Sequence, residues 1–278
     1  MKRVIFWKGE FLSSAESIGL NSDSGLLRGI GLFETMRAYH GNIIYFNQHI
    51  ARIRNSCKIL GLGFAYNAGK IQRIIDRLLE SGSLSDACVR LSLWKEKGES
   101  EILVVASKYS PYPLTKYRKG FSVGIGRLRQ DEDSFLAQHK TTSRLIYELN
   151  FYQAQKRGFD EAIMLNQRGY ITEATRSNIF FAKDKTLFTP ALDCGCLSGI
   201  TRRVVCDLAA KYAIELYEGK FTLEDLCAAD EAFLTNSLMG LMPLTCVEKR
   251  YFIKGAAQKI TSFFIRKYRN LLTPDLSG

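Results

Sequence analysis

Apolar residues recur three and four positions apart in two stretches of the first hundred residues. "NQHIARIRNSCKILGL" places Ile50, Ile53, Cys57 and Leu60 on one helical face, with Asn47 positioned to cap the start and Gly61 to end it. "AGKIQRIIDRLLESG" repeats the pattern and predicts a second amphipathic helix. Around these helices the apolar period shortens. "RVIFW" and "EFLSS" flank a Lys-Gly turn, and "LFETMRAY" and "IIYF" flank the turn His40-Gly41-Asn42. "ACVRLSLW" and "EILVVASKY" read as further strands. Residues 1–110 are therefore expected to form a small α/β domain.

"SPYPLTKYRKG" holds two of the five prolines and predicts a linker over residues 111–120. Residues 121–278 then open with the strand "FSVGIGRL", an irregular loop and a helix from about Thr141 to Arg157. The strands "DEAIMLN", "GYITEA" and "SNIFFAK" follow, then the helix "GITRRVVCDLAAKYA" and the strands "IELYEGKF" and "EAFLTNS". "GAAQKITSFFIRKYRNLL" closes the chain as a basic amphipathic helix. Strands and helices do not alternate regularly, so the larger C-terminal domain is expected to be mixed α+β rather than a doubly wound parallel sheet.

Composition narrows the class. Hydrophobic residues make up 46% and charged residues 24% of 278, the balance of an ordinary globular protein. No apolar run reaches the roughly 18 residues of a membrane span, and "MKRVIFWKGEFLSS" lacks the core and cleavage site of a signal peptide. The seven cysteines include no C-x-x-C pair, so neither a metal site nor a disulfide framework is implied. A cytoplasmic protein with reduced thiols is expected. The net charge of +11 is spread along the chain without a basic stripe interleaved with aromatics, and no nucleic-acid partner is expected. Lys259, Arg266, Lys267 and Arg269 read as the solvated face of the last helix, and a basic surface also steers anionic small molecules.

Candidate chemistry is then a matter of elimination and clustering. G-x-S-x-G, H-E-x-x-H and Gly-rich phosphate loops are missing, and only His40, His49 and His139 could serve histidine chemistry. Lysine chemistry remains, and Lys140 stands just ahead of a helix. Three other stretches hold groups suited to an anion. Gly199-Ile200-Thr201 opens a helix with backbone N–H groups and a hydroxyl. Asn236 and Ser237 end a strand, and Arg52 lies on a helix three residues from His49. Each has an ordinary structural explanation as a solvated side chain, a turn or a cap; taken together they offer one phosphate a cation and two nests of donors.

The blocks "GIGLFETMRAYHGNIIYFNQHIARIRNS", "HKTT", "GYITEATRSNIFF", "LFTPALDCGCLSGITRRVV" and "DEAFLTNSLMGLMPL", in this order, resemble the class IV aminotransferases, the fold-type IV pyridoxal-phosphate enzymes. The resemblance implies pyridoxal 5′-phosphate as cofactor and Lys140 as the Schiff-base lysine. It makes Glu173 the carboxylate facing the pyridine nitrogen, which keeps the ring protonated and electron-accepting. Arg52 would hold the phosphate with Ile200, Thr201 and Ser237, and Ser177, Asn178 and Asn236 would line the cofactor site. Amino acids and 2-oxo acids would be the substrates, and a homodimer the working assembly, with "LLRGIGLFET" lining the neighbouring subunit's pocket.

Departures from the family pattern bear on the branch. In "DSGLLRGIGLFET" Ser24 replaces an arginine, Ile30 an aspartate-type position, and Arg28 a pocket-lining aromatic. An arginine in a pocket needs an anion, so Arg28 is expected to meet a substrate carboxylate; a surface position after a local loop shift is the alternative. Arg90 in "CVRLSLW" can face the same pocket. Leu145 stands where branched-chain aminotransferases carry a tyrosine, and "LWKEKGESEILVVASKY" lacks the arginine-x-histidine pair of many D-amino-acid aminotransferases. "KTTSRL" and "NSLMGLMPL" lean toward aminodeoxychorismate lyase, although Ser143 stands where lyases tend to carry asparagine. The resemblance thus implies a transaminase for D-amino acids of the D-glutamate or D-alanine type, with the lyase of 4-aminobenzoate synthesis as the alternative and a branched-chain aminotransferase behind both.

Overall fold

The computed structural model describes residues 3–12, 24–96, 99–252 and 259–272. The chain divides into two compact units, Met1–Pro111 with His139–Ser143, and Tyr112–Gln138 with Arg144–Gly278. The first is built on a six-stranded sheet: β1 (Arg3–Trp7), β2 (Glu10–Leu12), β3 (Gly31–Tyr39), β4 (Asn42–Ile43), β5 (Ala87–Glu96) and β6 (Glu99–Lys108), in the order β2-β1-β6-β5-β3-β4. Every pairing is antiparallel. Two helices, α1 (Phe46–Ile59) and α2 (Ala68–Gly82), cover the face that carries Leu32, Met36, Ala38, Val89, Leu91 and Leu93.

The α2 helix follows directly from its sequence. Asn67 accepts a hydrogen bond from Lys70 N at 2.8 Å, and Ile71, Ile74, Ile75, Leu78 and Leu79 fill the core at helical spacing. Fully burying a side chain of this size contributes about 1.5–3 kcal/mol, so these five residues anchor the helix. The α1 helix departs from expectation. It begins at Phe46 after Tyr45 in the left-handed region, with no side-chain cap, so Asn47 lies inside the first turn. Of "IIYF", only Ile43 belongs to β4, with Ile44 N adding one hydrogen bond to Arg37 O at 2.9 Å. The end of "EFLSS" lies outside the described residues.

The second unit holds a nine-stranded sheet. Its path is β12-β11-β10-β13-β14-β7-β8-β9, with β15 on β14. The strands are β7 (Phe121–Ile125), β8 (Glu161–Leu165), β9 (Ile171–Ala174), β10 (Asn178–Lys183), β11 (Thr186–Pro190), β12 (Leu216–Gly219), β13 (Glu231–Asn236), β14 (Gly240–Val247) and β15 (Arg250–Tyr251). The β11–β12, β14–β7 and β7–β8 pairs are parallel and the rest antiparallel, which is why helices serve as crossovers in only part of the unit. The expected linker strip carries a short helix, α3 (Leu114–Lys119). The other helices are α4 (Leu145–Lys156), α5 (Ile200–Lys211), α6 (Leu223–Cys227) and α7 (Lys259–Leu272). Glu231 accepts from Ile260 N at 3.0 Å and Thr261 N at 2.8 Å and so caps α7, whose Thr261, Phe264 and Tyr268 are buried. Residues 255–258, expected as the first turn of that helix, lie outside the described residues.

Both units mix strands and helices without regular alternation, a mixed α+β arrangement. No described helix is long and apolar enough to cross a membrane.

Candidate active site

Lys140 is built into the first unit by strand pairing. Thr141 bridges Leu32 of β3, Phe33 N donates to Lys140 O at 2.9 Å, and Thr142 N donates to Gly31 O at 2.8 Å. Ser143 Oγ donates to Gly29 O at 2.9 Å. The residues expected to begin a helix at Thr141 are thus spent on β3, and α4 starts only at Leu145. On the N-terminal side, His139 Nδ1 meets Ser56 Oγ of α1 at 2.9 Å. A lysine fixed on both flanks projects from a rigid base, which is what reproducible positioning of a reactive amine requires.

Its ammonium lies 4.6 Å from the centroid of the Phe33 ring, and the Arg90 guanidinium lies 4.1 Å from the same ring. Thr35 pairs with Arg90 in the β3–β5 register, so Phe33 and Arg90 share the sheet face opposite α1 and α2. Two cations on one aromatic ring concentrate positive potential where an anionic ligand gains most. Arg28 is placed differently from a pocket-lining residue. It is exposed, in the turn of residues 24–30, where Ile30 N and Arg28 N both donate to Gly25 O. Gly29 sits in that turn at φ +70°, and a Cβ there would come 2.7 Å from Ser143 Oγ.

On the helix-covered face of the same sheet, Arg52 and Glu34 form a two-pronged pair. Arg52 Nε donates to Oε1 at 2.7 Å and Nη2 to Oε2 at 2.6 Å, while His49 Nδ1 stands 2.7 Å from Oε2. Burial alone would raise the Glu34 carboxyl, but the Arg52 guanidinium and His49 outweigh it and hold the group at about 2. Arg52 is therefore held in one orientation by a partner that stays ionised at neutral pH.

In the second unit Glu173 lies buried on β9. Its Oε2 accepts from Leu197 N at 3.3 Å and Asn178 Nδ2 at 3.4 Å, and its Oε1 accepts from the Tyr147 hydroxyl at 3.4 Å. Asn178 is itself anchored by donating to Leu197 O at 2.8 Å. Gly199, the N-cap of α5, approaches so closely that a Cβ would meet Asn178 Oδ1 at 2.0 Å. Gly199 has no side chain to cap the helix, so Ile200 and Thr201 enter α5 with first-turn N–H groups free of a side-chain cap.

Four buried hydroxyls among the described residues have no hydrogen-bond partner: Ser177, Thr201, Thr235 and, on α7, Thr261. Thr235 stands directly opposite Asn178 in the β10–β13 register. Buried polar atoms are seldom left unsatisfied without a reason. A helix N-terminus with spare hydroxyls is a donor set for a phosphate, so the residues present fit a phosphate-bearing cofactor. Asn236 is committed elsewhere. Its Oδ1 accepts from Leu238 N at 3.0 Å and Met239 N at 2.9 Å, and its Nδ2 donates to Arg176 O at 3.2 Å, which shapes the turn holding Ser237. Thr235 and Tyr147 lie beyond the reach of sequence reasoning: a threonine inside a strand and a tyrosine on a helix carry no local signature of a site. Among the cysteines, burial pushes the Cys196 thiol far up, with the Glu173 charge adding to it, so that sulfur stays protonated.

Comparison with known proteins shows the family of the chain. The family model described as amino-transferase class IV matches residues 31–247. The aminodeoxychorismate lyase of Bacillus subtilis is 30% identical over 261 residues, 88% of this chain and 87% of that protein. The D-alanine aminotransferase of Bacillus licheniformis is 24% identical, over 92% and 93%. The crystal structure of a branched-chain aminotransferase from Thermoproteus uzoniensis with norvaline superposes at a TM-score of 0.88 with 26% identity, over 98% of this chain and 95% of that one. The chain belongs to the class IV aminotransferase family, has the fold-type IV architecture, and is an enzyme of a family that uses pyridoxal 5′-phosphate.

Proposed function

We propose that the chain is a pyridoxal-phosphate-dependent transaminase that moves the amino group of a D-amino acid, of the D-glutamate or D-alanine type, to a 2-oxo acid. The observation that carries this reading is the Arg90 guanidinium on the same Phe33 ring as the Lys140 ammonium. A substrate with a carboxylate one bond from its amine-bearing carbon would set that anion toward a guanidinium while its amine lies toward Lys140. When bound, the cofactor supplies an aldehyde for the amine and a ring that takes up the electron pair from the substrate Cα.

Lys140 is assigned the imine-forming amine and, once released, the base that carries a proton between the substrate Cα and the cofactor C4′. Glu173 is assigned the anion opposite the ring nitrogen, supported by its burial and three donors. Arg52, Ile200, Thr201 and Ser237 are assigned the phosphate, with Ser177 and Asn178 beside them and Asn236 holding the turn. Arg28, exposed in its own chain, is assigned to a partner subunit's substrate carboxylate in a homodimer.

A second reading, aminodeoxychorismate lyase, is favoured by the 30% identity to the Bacillus subtilis enzyme. Half-reactions of the cofactor-loaded protein with D-glutamate, D-alanine, L-glutamate, L-leucine and aminodeoxychorismate separate the two. Conversion of the cofactor to its amine form by D-glutamate or D-alanine supports the transaminase. Release of 4-aminobenzoate with no such conversion by any of the four amino acids replaces it with the lyase.

A further inference from the structure

Glu173 is the end point of a directed chain of donors that the assignments above leave unused. The Thr172 hydroxyl donates to Gln130 Oε1, Gln130 Nε2 donates to the Tyr147 oxygen at 2.5 Å, and the Tyr147 hydroxyl donates to Glu173 Oε1 at 3.4 Å. The backbone of Gln130 is pinned in turn, its N donating to Leu165 O at 2.9 Å and its O accepting from Gln167 N at 3.0 Å. Gln130, Thr172 and Glu173 are all buried, and Tyr147 is half-buried on α4. Arg144, one turn earlier, packs its guanidinium 4.3 Å from the Tyr147 ring centroid and donates to Thr175 O at 2.5 Å.

We infer that Tyr147 is a positioning residue for Glu173, oriented by Gln130 and Thr172, and that it holds the carboxylate in the charged form and the orientation that a protonated ring nitrogen recognises. This deepens the assignment of Glu173 made above and rests on it.

Donor direction decides the role. A phenol rotates freely about its C–O bond, and its hydrogen can point to any acceptor in reach. With the Gln130 amide hydrogen on the oxygen, the phenol's own hydrogen is left for Glu173. Burial first, and the Glu173 charge after it, pushes the phenol well above its ordinary range, so it keeps its proton and acts toward Glu173 only as a donor. Each donor in the chain polarises the next, which makes the Tyr147 hydroxyl a better donor toward Glu173. A carboxylate that accepts such a bond is stabilised as the anion. At 3.4 Å the final contact stands about 0.7 Å beyond the usual O–H···O⁻ distance and has room to shorten. Leu197 N and Asn178 hold the other oxygen, so Tyr147 decides how the carboxylate is turned about its last bond.

The test measures binding to the apo-protein rather than turnover. The probes are pyridoxamine 5′-phosphate and its 1-deaza analogue, in which C–H replaces the ring nitrogen. The ratio of the two dissociation constants reports the carboxylate–nitrogen contact alone, because phosphate and ring contacts cancel. Glu173→Gln should reduce the ratio at least tenfold. Tyr147→Phe should reduce it about three- to tenfold, the loss of one charge-assisted bond of reduced strength, with affinity for the deaza analogue kept within about twofold. Gln130→Met should act in the same direction, and it serves alone if Tyr147→Phe does not fold. If Glu173→Gln leaves the ratio at the parent value, the assignment of Glu173 itself is wrong. If Glu173→Gln collapses the ratio while Tyr147→Phe and Gln130→Met leave it unchanged, or weaken both probes equally, Tyr147 is structural only and the inference is overturned.

Discussion

Arg52 and Glu34 are joined by two hydrogen bonds of 2.7 and 2.6 Å across the interface of α1 and β3, with the carboxylate fully buried and the guanidinium largely so. The pair turns an arginine on a helix into a fixed cation, and it makes the stability of the first unit sensitive to acid. The Glu34 carboxyl sits at about 2, below the ordinary value near 4.3 of an unfolded chain. Its stabilisation is therefore complete above about pH 4.5 and is lost as the pH falls toward 2. Glu34→Gln should lower stability by about 3 kcal/mol at pH 7, because each tenfold change in a carboxyl's acidity between the folded and unfolded chain is worth about 1.4 kcal/mol. The urea midpoint of the parent should fall steeply between pH 4.5 and 2 while that of the variant changes less, so the two curves converge at the acid end. Parallel curves would remove Glu34 as the acid-sensitive group.

Lys140 should carry the cofactor. Borohydride reduction of the loaded protein followed by peptide mapping is expected to label Lys140 and no other lysine. A label elsewhere ends the assignment.

Arg90 and Arg28 should govern substrate carboxylates rather than cofactor retention. A charge-assisted bond to a desolvated carboxylate is worth roughly 1.5–3 kcal/mol, so Arg90→Ile should slow amino-acid half-reactions by about ten- to a hundredfold. An amine without a carboxylate, such as (R)-phenylethylamine, should lose little. Arg28→Ile is expected to behave alike, and only in a dimer. Sedimentation equilibrium should give twice the chain mass; an active monomer would rule out the trans arrangement.

Gly199 should tolerate no side chain. Alanine would drive its Cβ to 2.0 Å from Asn178 Oδ1, and relief requires moving either the start of α5 or a donor to Glu173. Gly199→Ala should weaken pyridoxamine 5′-phosphate binding by about tenfold or more, the 1.4 kcal/mol that corresponds to one decade. Fluorescence titration reads this directly, and unchanged affinity would mean that the helix start is free to shift.

How much of this is legible along the chain depends on range. The α2 helix is, because its cap, its apolar stripe and its end are all local. Thr141 reads as helical in the sequence because its partner is Leu32, more than a hundred residues earlier, and no local pattern records a single bridge. Asn47 reads as a cap because the left-handed turn at Tyr45, which starts the helix, leaves no mark in composition. The candidate residues Lys140, Glu173 and Arg52 stand out through ordered blocks of sequence. Their supports, Glu34 for Arg52 and Tyr147 with Gln130 for Glu173, do not. Each is joined to its partner by a hydrogen bond between distant positions, and glutamate on a strand or tyrosine on a helix is commonplace.

Lys140 completes a sheet whose strands all precede it. The hydrogen bond between Thr142 and Gly31 spans 111 residues, and closing a loop of that length costs little more entropy than closing one half as long. During translation, with the chain emerging N-terminus first, the strands of the first unit leave the ribosome before the segment that carries the amine. A nascent first unit therefore has its framework but no Lys140 to trap an aldehyde, and the reactive group arrives only when the template that orients it has been made.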